Sequence, residues 1–408
     1  MTRKKEIIFI IITLLLTLTL AEGFFRFFIE RRNRLGNLEK RNTFEPYQNK
    51  PWVDQYFRDG KECSKQRAEA REETGTYVRY ILHDLSHDCT TKSVNIALGM
   101  RKTWNPNPDS LVGDAKIYTL AMFGGSTMQG VGLPDDLTIP SHFSKLVNEA
   151  AKDNTVYIVK NYGVSSYTFT QSLIKLILLL REGERFDYVI FYGGTNDIDN
   201  AYDVGEAGAL IGEKALKNRL EGGTSGQIRE FFKRQLNSCG ICRTIVIISR
   251  NTPILRDYVT PYLVRARDVI HFKEGKRKDD QEIVALAKDI AEYYAKSHEL
   301  LDALSRAYDF KYAEFWQPAL LYGEEQPVGG EKIILNIDPR LTDDKLKELY
   351  RLSRDKINSM RLENFHDISG ALLLREKAYY LDAAHISDEG NKAVAEDIYA
   401  ILKNELSI

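Results

Sequence analysis

The sequence predicts an α/β domain, a three-layer α/β/α sandwich around a five-stranded parallel sheet. From Lys116 onward, short apolar segments alternate with longer segments of helical periodicity, which is typical of a parallel sheet covered by helices. A hydrophobic content of 43% over 408 residues supports a sizeable core and excludes wholesale disorder. Turns with glycine or polar side chains follow these segments, where α/β proteins form their sites.

The individual elements follow from these segments. The predicted strands are 117–123, 156–160, 188–192, 312–315 and 378–381. The predicted helices are 171–181, 281–307, 342–361 and 388–405, and Ser387 opens an N-cap region before the last of them. Residues 198–310 are too long for an ordinary connection, so they indicate an insertion that shapes a substrate surface.

The N-terminal region differs from the rest of the chain. Residues 7–21 are apolar apart from three Thr, and with residues 23–25 they predict a single membrane anchor within residues 1–34. A cleaved signal peptide is the alternative, since basic residues precede the apolar run. Residues 35–115 are polar and weakly periodic, and we interpret them as a stalk with a small cap. The α/β domain then spans 116–408.

Charge and cysteine content exclude several classes of protein. Lys and Arg (57) nearly balance Asp and Glu (58), and a net charge of −1 argues against nucleic acid as a partner. Four cysteines are too few for a disulfide-framed mini-protein. In an exported domain, Cys63–Cys89 and Cys239–Cys242 are reasonable disulfides, one of three possible connectivities; in the cytoplasm all four are thiols. The sequence predicts no oligomeric state.

A metal site is conceivable at His83 and His87, which have Asp84, Asp88 and Cys89 beside them. The surroundings are polar and no H-E-x-x-H pattern occurs, so we predict neither a metal nor a cofactor.

A glycine-rich turn follows the first predicted strand and carries Ser126. In Gly124-Gly125-Ser126 the glycines let the backbone turn sharply and bring the Ser hydroxyl to the carboxyl edge of the sheet. Met128 stands where the G-x-S-x-G elbow needs Gly, and the glycine spacing fits no phosphate-binding or dinucleotide motif. Taken alone, this segment can equally be interpreted as a glycine-rich turn without a catalytic role.

Further polar groups follow the other predicted strands. Asn196 can aim its amide at a developing oxyanion, and Gly163 can donate its backbone N–H at the same edge. Asp197 and Gln317 are candidate substrate-binding residues. Structural alternatives remain open for each of them: an Asx turn, a glycine turn or the edge of the core.

The last turn contains Asp382 and His385, three residues apart. A nucleophilic Ser needs a general base, and the base needs a carboxylate that fixes its tautomer. This spacing lets Asp382 contact His385 Nδ1 and leaves Nε2 free for the Ser126 hydroxyl. A lone His here is usually a capping or surface residue, but all of these turns follow predicted strands of one sheet.

In this order, the blocks resemble the SGNH/GDSL hydrolase superfamily over residues 116–408. The matching residues are Ser126, Gly163, Asn196 and His385, with Asp382 in the last block. The resemblance implies a flavodoxin-like sheet order and a serine esterase, with Ser126, His385 and Asp382 catalytic and an oxyanion hole of Ser126, Gly163 and Asn196. One departure is that the family's G-D-S reads Gly124-Gly125-Ser126 here, a form that resembles membrane-tethered relatives tied to cell-envelope glycans.

The substrate that the resemblance implies is an O-acyl group, in particular O-acetyl, on a cell-envelope carbohydrate or another small ester. The catalytic domain would then be periplasmic or otherwise extracytoplasmic. An O-acyltransferase that uses the same residues is the first alternative, because a sugar hydroxyl can replace water in the second step. A non-catalytic envelope assembly protein is the second.

Overall fold

The structure is a computed structural model that describes residues 45–69, 76–78, 80–85, 88–107, 115–213, 279–320, 327–331, 343–373 and 376–406. Apart from Gly212 and Glu213, these residues belong to one compact unit, Phe44–Ile211 with Lys278–Ile408. The predicted anchor, Cys239 and Cys242, and residues 214–278 of the predicted insertion lie outside the described residues. Within the described ranges, no helix has the length and apolarity of a membrane span.

The strands form a two-stranded hairpin, β1–β2, and one large sheet, β3–β10. In chain order they are β1 (Thr76–Val78), β2 (Leu82–Asp84), β3 (Cys89–Thr90), β4 (Asn95–Ala97), β5 (Met100–Arg101), β6 (Lys116–Gly124), β7 (Thr155–Asn161), β8 (Tyr188–Gly193), β9 (Lys311–Trp316) and β10 (Phe365–Asp367).

The α-helices in the described ranges also follow in chain order. They are α1 (Val53–Glu69), α2 (Ser126–Gln129), α3 (Ile139–Ala150), α4 (Phe169–Arg181), α5 (Thr195–Val204), α6 (Asp280–Tyr308), α7 (Asp344–Met360) and α8 (Asp388–Leu402). All four predicted helices are present as α4, α6, α7 and α8. Ser387 caps α8 as predicted, because its side chain accepts the Gly390 N–H.

Five parallel strands form one side of the large sheet, in the spatial order β7-β6-β8-β9-β10, with β10 at the edge. This is the doubly wound order that the resemblance implied. The strand order reverses at β6. Because β-α-β crossovers are right-handed, α3 and α4 lie on opposite faces of the sheet, and the crevice for a site forms at this reversal. Leu120 to Phe123 of β6 are fully buried, as expected for a strand covered on both faces.

The predicted last strand, 378–381, is wrong. Residues 378–381 form only an isolated bridge between Tyr380 and Ile386, and the fifth parallel strand is β10. The backbone N–H groups of Tyr379 and Tyr380 donate to the buried carboxylate of Glu331, at 2.7 and 2.8 Å. This side chain takes the place of a neighbouring strand. Because β10 has only three residues, it shows no apolar periodicity in the sequence.

The sheet is also larger than predicted: it has eight strands and is mixed. β5, β4 and β3 continue it beyond β7, and each of these pairings is antiparallel. These three strands come from the region that we interpreted as stalk and cap. A disulfide between Cys63 and Cys89 ties α1 to β3. The boundary predicted at residue 115 therefore does not coincide with a break in the sheet.

Candidate active site

Ser126, Asn196 and Gln317 lie where β6, β8 and β9 end, and Gly163 follows β7, so one edge of the sheet collects them. His385 reaches the same edge from the loop before α8. Its Nε2 lies 2.7 Å from Ser126 Oγ, and its Nδ1 lies 2.7 Å from Asp382 Oδ2. With Asp382 ionised, Nδ1 donates to the carboxylate and Nε2 accepts the Ser126 hydroxyl proton. This is the arrangement of a nucleophile, a base and an orienting acid.

Asp382 is held as a carboxylate by its own loop. Its Oδ1 accepts the backbone N–H groups of Ala384 and His385, at 2.9 and 2.8 Å. Partial burial opposes ionisation, but the hydrogen bond and charge of His385 and these two N–H groups outweigh it and lower the pKa to about 2. The side chain is 54% exposed, so the surrounding water also stabilises the charge. Asp382 therefore stays ionised across the neutral range.

Ser126 is fixed by a single helical turn. The carbonyl oxygen of Ser126 accepts the N–H groups of Gly130 and Val131, both at 3.0 Å. Gly130 ends α2 in the left-handed conformation, with φ 81° and ψ 42°, where a side chain would also overlap Thr138. Ser126 is the first residue of α2, and N–H groups at this position have no partner within the helix. The Ser126 N–H is therefore suited to bind an oxyanion.

Asn196 lies directly against the nucleophile turn. Its Nδ2 donates one hydrogen to the carbonyl of Tyr167, at 2.9 Å, which leaves the second for a ligand. A Cβ atom on Gly125 would overlap Asn196 Nδ2. The glycine that replaces the family's Asp therefore makes room for this amide.

Gly163 is placed differently from its predicted role. Its backbone N–H donates to Asn161 Oδ1 at 2.9 Å, while Asn161 Nδ2 donates to the carbonyl of Met128 at 3.1 Å. The N–H is therefore already engaged. Its part in the oxyanion hole stays a prediction, and it requires Asn161 to release this hydrogen.

Asp197 lies inside the fold, with 4% of its surface exposed. Its carboxylate accepts the N–H groups of Phe169 (2.9 Å) and Gly194 (3.3 Å). Burial raises its pKa to about 7, and the nearby carboxylate of Glu314 adds to the rise while the two N–H groups oppose it. In this position Asp197 fixes the turn that presents Asn196, and its predicted part in substrate binding stays a prediction.

Gln317 is also buried, at 3% exposure, but its side chain reaches the residue beside the nucleophile. Its Oε1 accepts the Thr127 hydroxyl at 3.4 Å, and its backbone N–H donates to Gly193 at 2.9 Å. Its Nε2 has no hydrogen-bond partner among the described residues. The side-chain amide is therefore close to the site, with its Nε2 still unpaired among the described residues.

A family model described as GDSL-like Lipase/Acylhydrolase matches residues 120–398. The chain belongs to this family. The match covers every predicted block from Ser126 to His385 and supports an ester-hydrolysing enzyme rather than a non-catalytic assembly protein. No curated protein matches the sequence significantly.

Solved structures of GDSL and other esterases are similar at low identity. A carbohydrate acetylesterase family member from Sinorhizobium meliloti is 12% identical and covers 71% of this chain and 100% of its own, with a TM-score of 0.35. A lipase/acylhydrolase from Enterococcus faecalis is 12% identical, with coverages of 71% and 96% and a TM-score of 0.33. The acetyl xylan esterase AlAXEase is 11% identical, with coverages of 70% and 99% and a TM-score of 0.33.

The conceivable metal site has other contacts in this GDSL protein. No cluster of His, Cys, Asp and Glu suited to a metal occurs in the described ranges, from which His87 is missing. His83 Nε2 lies 3.0 Å from the carbonyl of Ser165, Asp84 pairs with Lys175 at 2.6 Å, and Cys89 is in the disulfide.

The sequence reasoning missed Arg101, which contacts the turn that follows Ser126. It lies between Met100 and Lys102, and no motif indicates a role for it. It also missed Tyr167, whose backbone carbonyl holds Asn196. A backbone contact of this kind leaves no trace in the residue type.

Proposed function

We propose that the protein is a serine esterase that removes O-acyl groups, in particular O-acetyl groups, from a cell-envelope carbohydrate. The observation that carries the proposal is the continuous chain of 2.7 Å contacts from Ser126 Oγ through His385 to Asp382. A Ser hydroxyl with a base and an orienting carboxylate is the machinery of acyl transfer.

In the first half of the reaction, Ser126 Oγ attacks the ester carbonyl carbon and its proton passes to His385 Nε2. Asp382 stabilises the imidazolium through Nδ1. The oxyanion is bound by the Ser126 N–H and the second amide hydrogen of Asn196. When the tetrahedral intermediate collapses, the ester C–O bond breaks and His385 gives its proton to the leaving alcohol.

In the second half, a water molecule loses a proton to His385 and attacks the acyl-enzyme carbonyl. The bond to Ser126 Oγ breaks, and the proton returns to the serine as the acid leaves. If a sugar hydroxyl replaced water, the product would be a new ester, which is the acyltransferase alternative.

One feature supports the choice of substrate, and the net charge bears on how that substrate would be held. The Gly124-Gly125-Ser126 form of the nucleophile block resembles that of envelope-glycan relatives. The net charge of −1 gives no long-range attraction to a polyanion, so a carbohydrate would be held by local contacts near the site.

We further propose that the enzyme is anchored by residues 1–34 and that its catalytic domain is extracytoplasmic. The disulfide between Cys63 and Cys89 supports this location, because disulfides persist in oxidising compartments and are rare in the cytosol.

Hydrolysis of p-nitrophenyl esters of increasing chain length, followed by acetyl release from O-acetylated polysaccharides, tests the substrate. We expect acetate to be the preferred acyl group and acetyl release from the polysaccharide to require Ser126. Preference for long acyl chains would contradict the proposal. Acetylated product that appears only when an oligosaccharide acceptor is added would establish the acyltransferase alternative.

A further inference from the structure

Arg101 on β5 is 25 residues before Ser126 in the sequence, yet its side chain is bound to the turn that follows the nucleophile. Arg101 is buried, with 4% of its surface exposed. Nη1 donates to the carbonyls of Gln129 (3.2 Å) and Gly130 (2.7 Å), and Nη2 donates to that of Leu133 (2.5 Å). One buried cation therefore binds three backbone carbonyls of a single turn.

Two peptide units connect this guanidinium to Ser126. The peptide from Gln129 to Gly130 accepts from Arg101 at its C=O and donates its N–H to the Ser126 carbonyl, and the peptide from Gly130 to Val131 does the same. Hydrogen bonds in such a chain polarise one another and become stronger. On each route a single peptide unit therefore connects Arg101 to the Ser126 carbonyl. This backbone orients the Ser126 hydroxyl and its N–H.

The guanidinium is itself held in place by charge. Its Nε donates to Asp135 Oδ1 at 3.0 Å in a buried ion pair. Asn95 fixes the other oxygen of Asp135 at 2.6 Å. Burial raises the pKa of Asp135, while the charge of Arg101 and the hydrogen bonds from Arg101 and Asn95 oppose the rise.

We propose that Arg101 is a positioning residue for the nucleophile of this esterase. It acts through the two peptide units and touches neither substrate nor reacting atoms. Lysine cannot replace it, because an ammonium does not present the planar fork that reaches three carbonyls and a carboxylate at once. The inference rests on the proposed serine mechanism and adds a residue from outside the family match, which begins at residue 120.

The test measures the rate at which a fluorophosphonate probe labels Ser126, together with kcat and KM for p-nitrophenyl acetate. Arg101→Lys is compared with the wild type and with Leu402→Ala, a fully buried core truncation near the far end of α8. We expect Arg101→Lys to lower kcat and the labelling rate by roughly 10- to 100-fold with KM nearly unchanged, as for a small misplacement of a reacting group. Leu402→Ala should lower the melting temperature but keep the wild-type kcat.

An Arg101→Lys protein that folds and is labelled as fast as Leu402→Ala would overturn the inference while the esterase proposal stands. A wild type that is not labelled at all would instead contradict the esterase mechanism. If Arg101→Lys does not fold, Asp135→Asn keeps the guanidinium and removes its charged partner. It should lower the labelling rate several-fold, and an unchanged rate would also overturn the inference.

Discussion

The two halves of the catalytic machinery are held in different ways. The nucleophile turn, residues 124–133, is largely buried apart from Val131, and it depends on partners that are distant in the sequence, since Arg101 binds its carbonyls and Asn196 packs on Gly125. The base loop, residues 380–387, holds Asp382 and His385 by hydrogen bonds within the loop, while Glu331 binds the Tyr380 N–H at its start. Asp382 bonds to His385 and to two N–H groups of its own loop, and Leu381 donates to the His385 carbonyl at 2.7 Å.

This difference implies that the two halves respond differently to mutation. In the base loop, Asp382 is more than half exposed, so its side chain serves the chemistry and contributes little to the fold, whereas Tyr380, Ala383 and Ile386 are buried in the core. Residues that pack on the nucleophile turn serve both the chemistry and the fold. Substitutions of Asp382 and His385 should therefore lower activity with little effect on stability, whereas substitutions on the nucleophile side should lower both.

The largest effect is expected from His385→Ala, which removes the base. We expect kcat to fall by roughly 10⁴- to 10⁶-fold, with the melting temperature nearly unchanged. The matched control is His142→Ala, because His142 forms a second His–Asp pair, with Asp388 at 2.9 Å, that does not include Ser126. Turnover that survives in His385→Ala would refute the assignment of the base.

Asp382→Asn should have the next largest effect, up to ~10⁴-fold in kcat, because the amide favours the wrong tautomer of His385. Since the pKa of Asp382 is about 2, this carboxylate does not titrate between about pH 4 and pH 8. The loss in the variant should therefore not be recovered anywhere in that range. Asp388→Asn serves as the control, and an equal loss in both variants would contradict the special role of Asp382.

Gly125→Ala tests the nucleophile side. The new Cβ would displace the Asn196 amide, so we expect kcat to fall by up to ~10²- to 10³-fold, as when an oxyanion donor is lost. The melting temperature should fall as well. Gly60→Ala is the control, because a Cβ at Gly60 meets no atom within 4 Å. A fall in stability without a fall in kcat would contradict the role of Gly125 in making room for the oxyanion-binding amide.

Asp197 is expected to affect the pH dependence of stability rather than turnover. Its pKa is raised to about 7, above the ordinary value of about 3.9, so the folded state binds the proton more tightly than the unfolded state. The stability that this proton contributes is present at about pH 4 and is lost as pH rises through about 7, by at most about 4 kcal/mol. In Asp197→Asn this part of the pH dependence should disappear. Denaturant unfolding at pH 4 and 7 measures it, and an unchanged pH dependence would contradict the shift.

The base loop and the block residues could be predicted from the sequence because their signals are local. Asp382 and His385 stand three residues apart, and Ser126 and Asn196 directly follow apolar strands. The last strand could not be predicted, since β10 is short and residues 378–381 replace strand pairing by contacts with Glu331.

The partners of the nucleophile turn could not be predicted either. Arg101 is bound through backbone carbonyls, which every residue has, so neither motif nor spacing distinguishes it from a surface arginine. The same holds for the Gly163 N–H, whose engagement depends on the conformation of the Asn161 side chain.

The most direct test of the esterase mechanism is mass analysis of the folded protein after reaction with a fluorophosphonate probe. We expect one covalent adduct, located by peptide mapping at Ser126, and its absence in Ser126→Ala. A folded wild-type protein without an adduct, or an adduct that persists in Ser126→Ala, would contradict the assignment of Ser126 as the nucleophile.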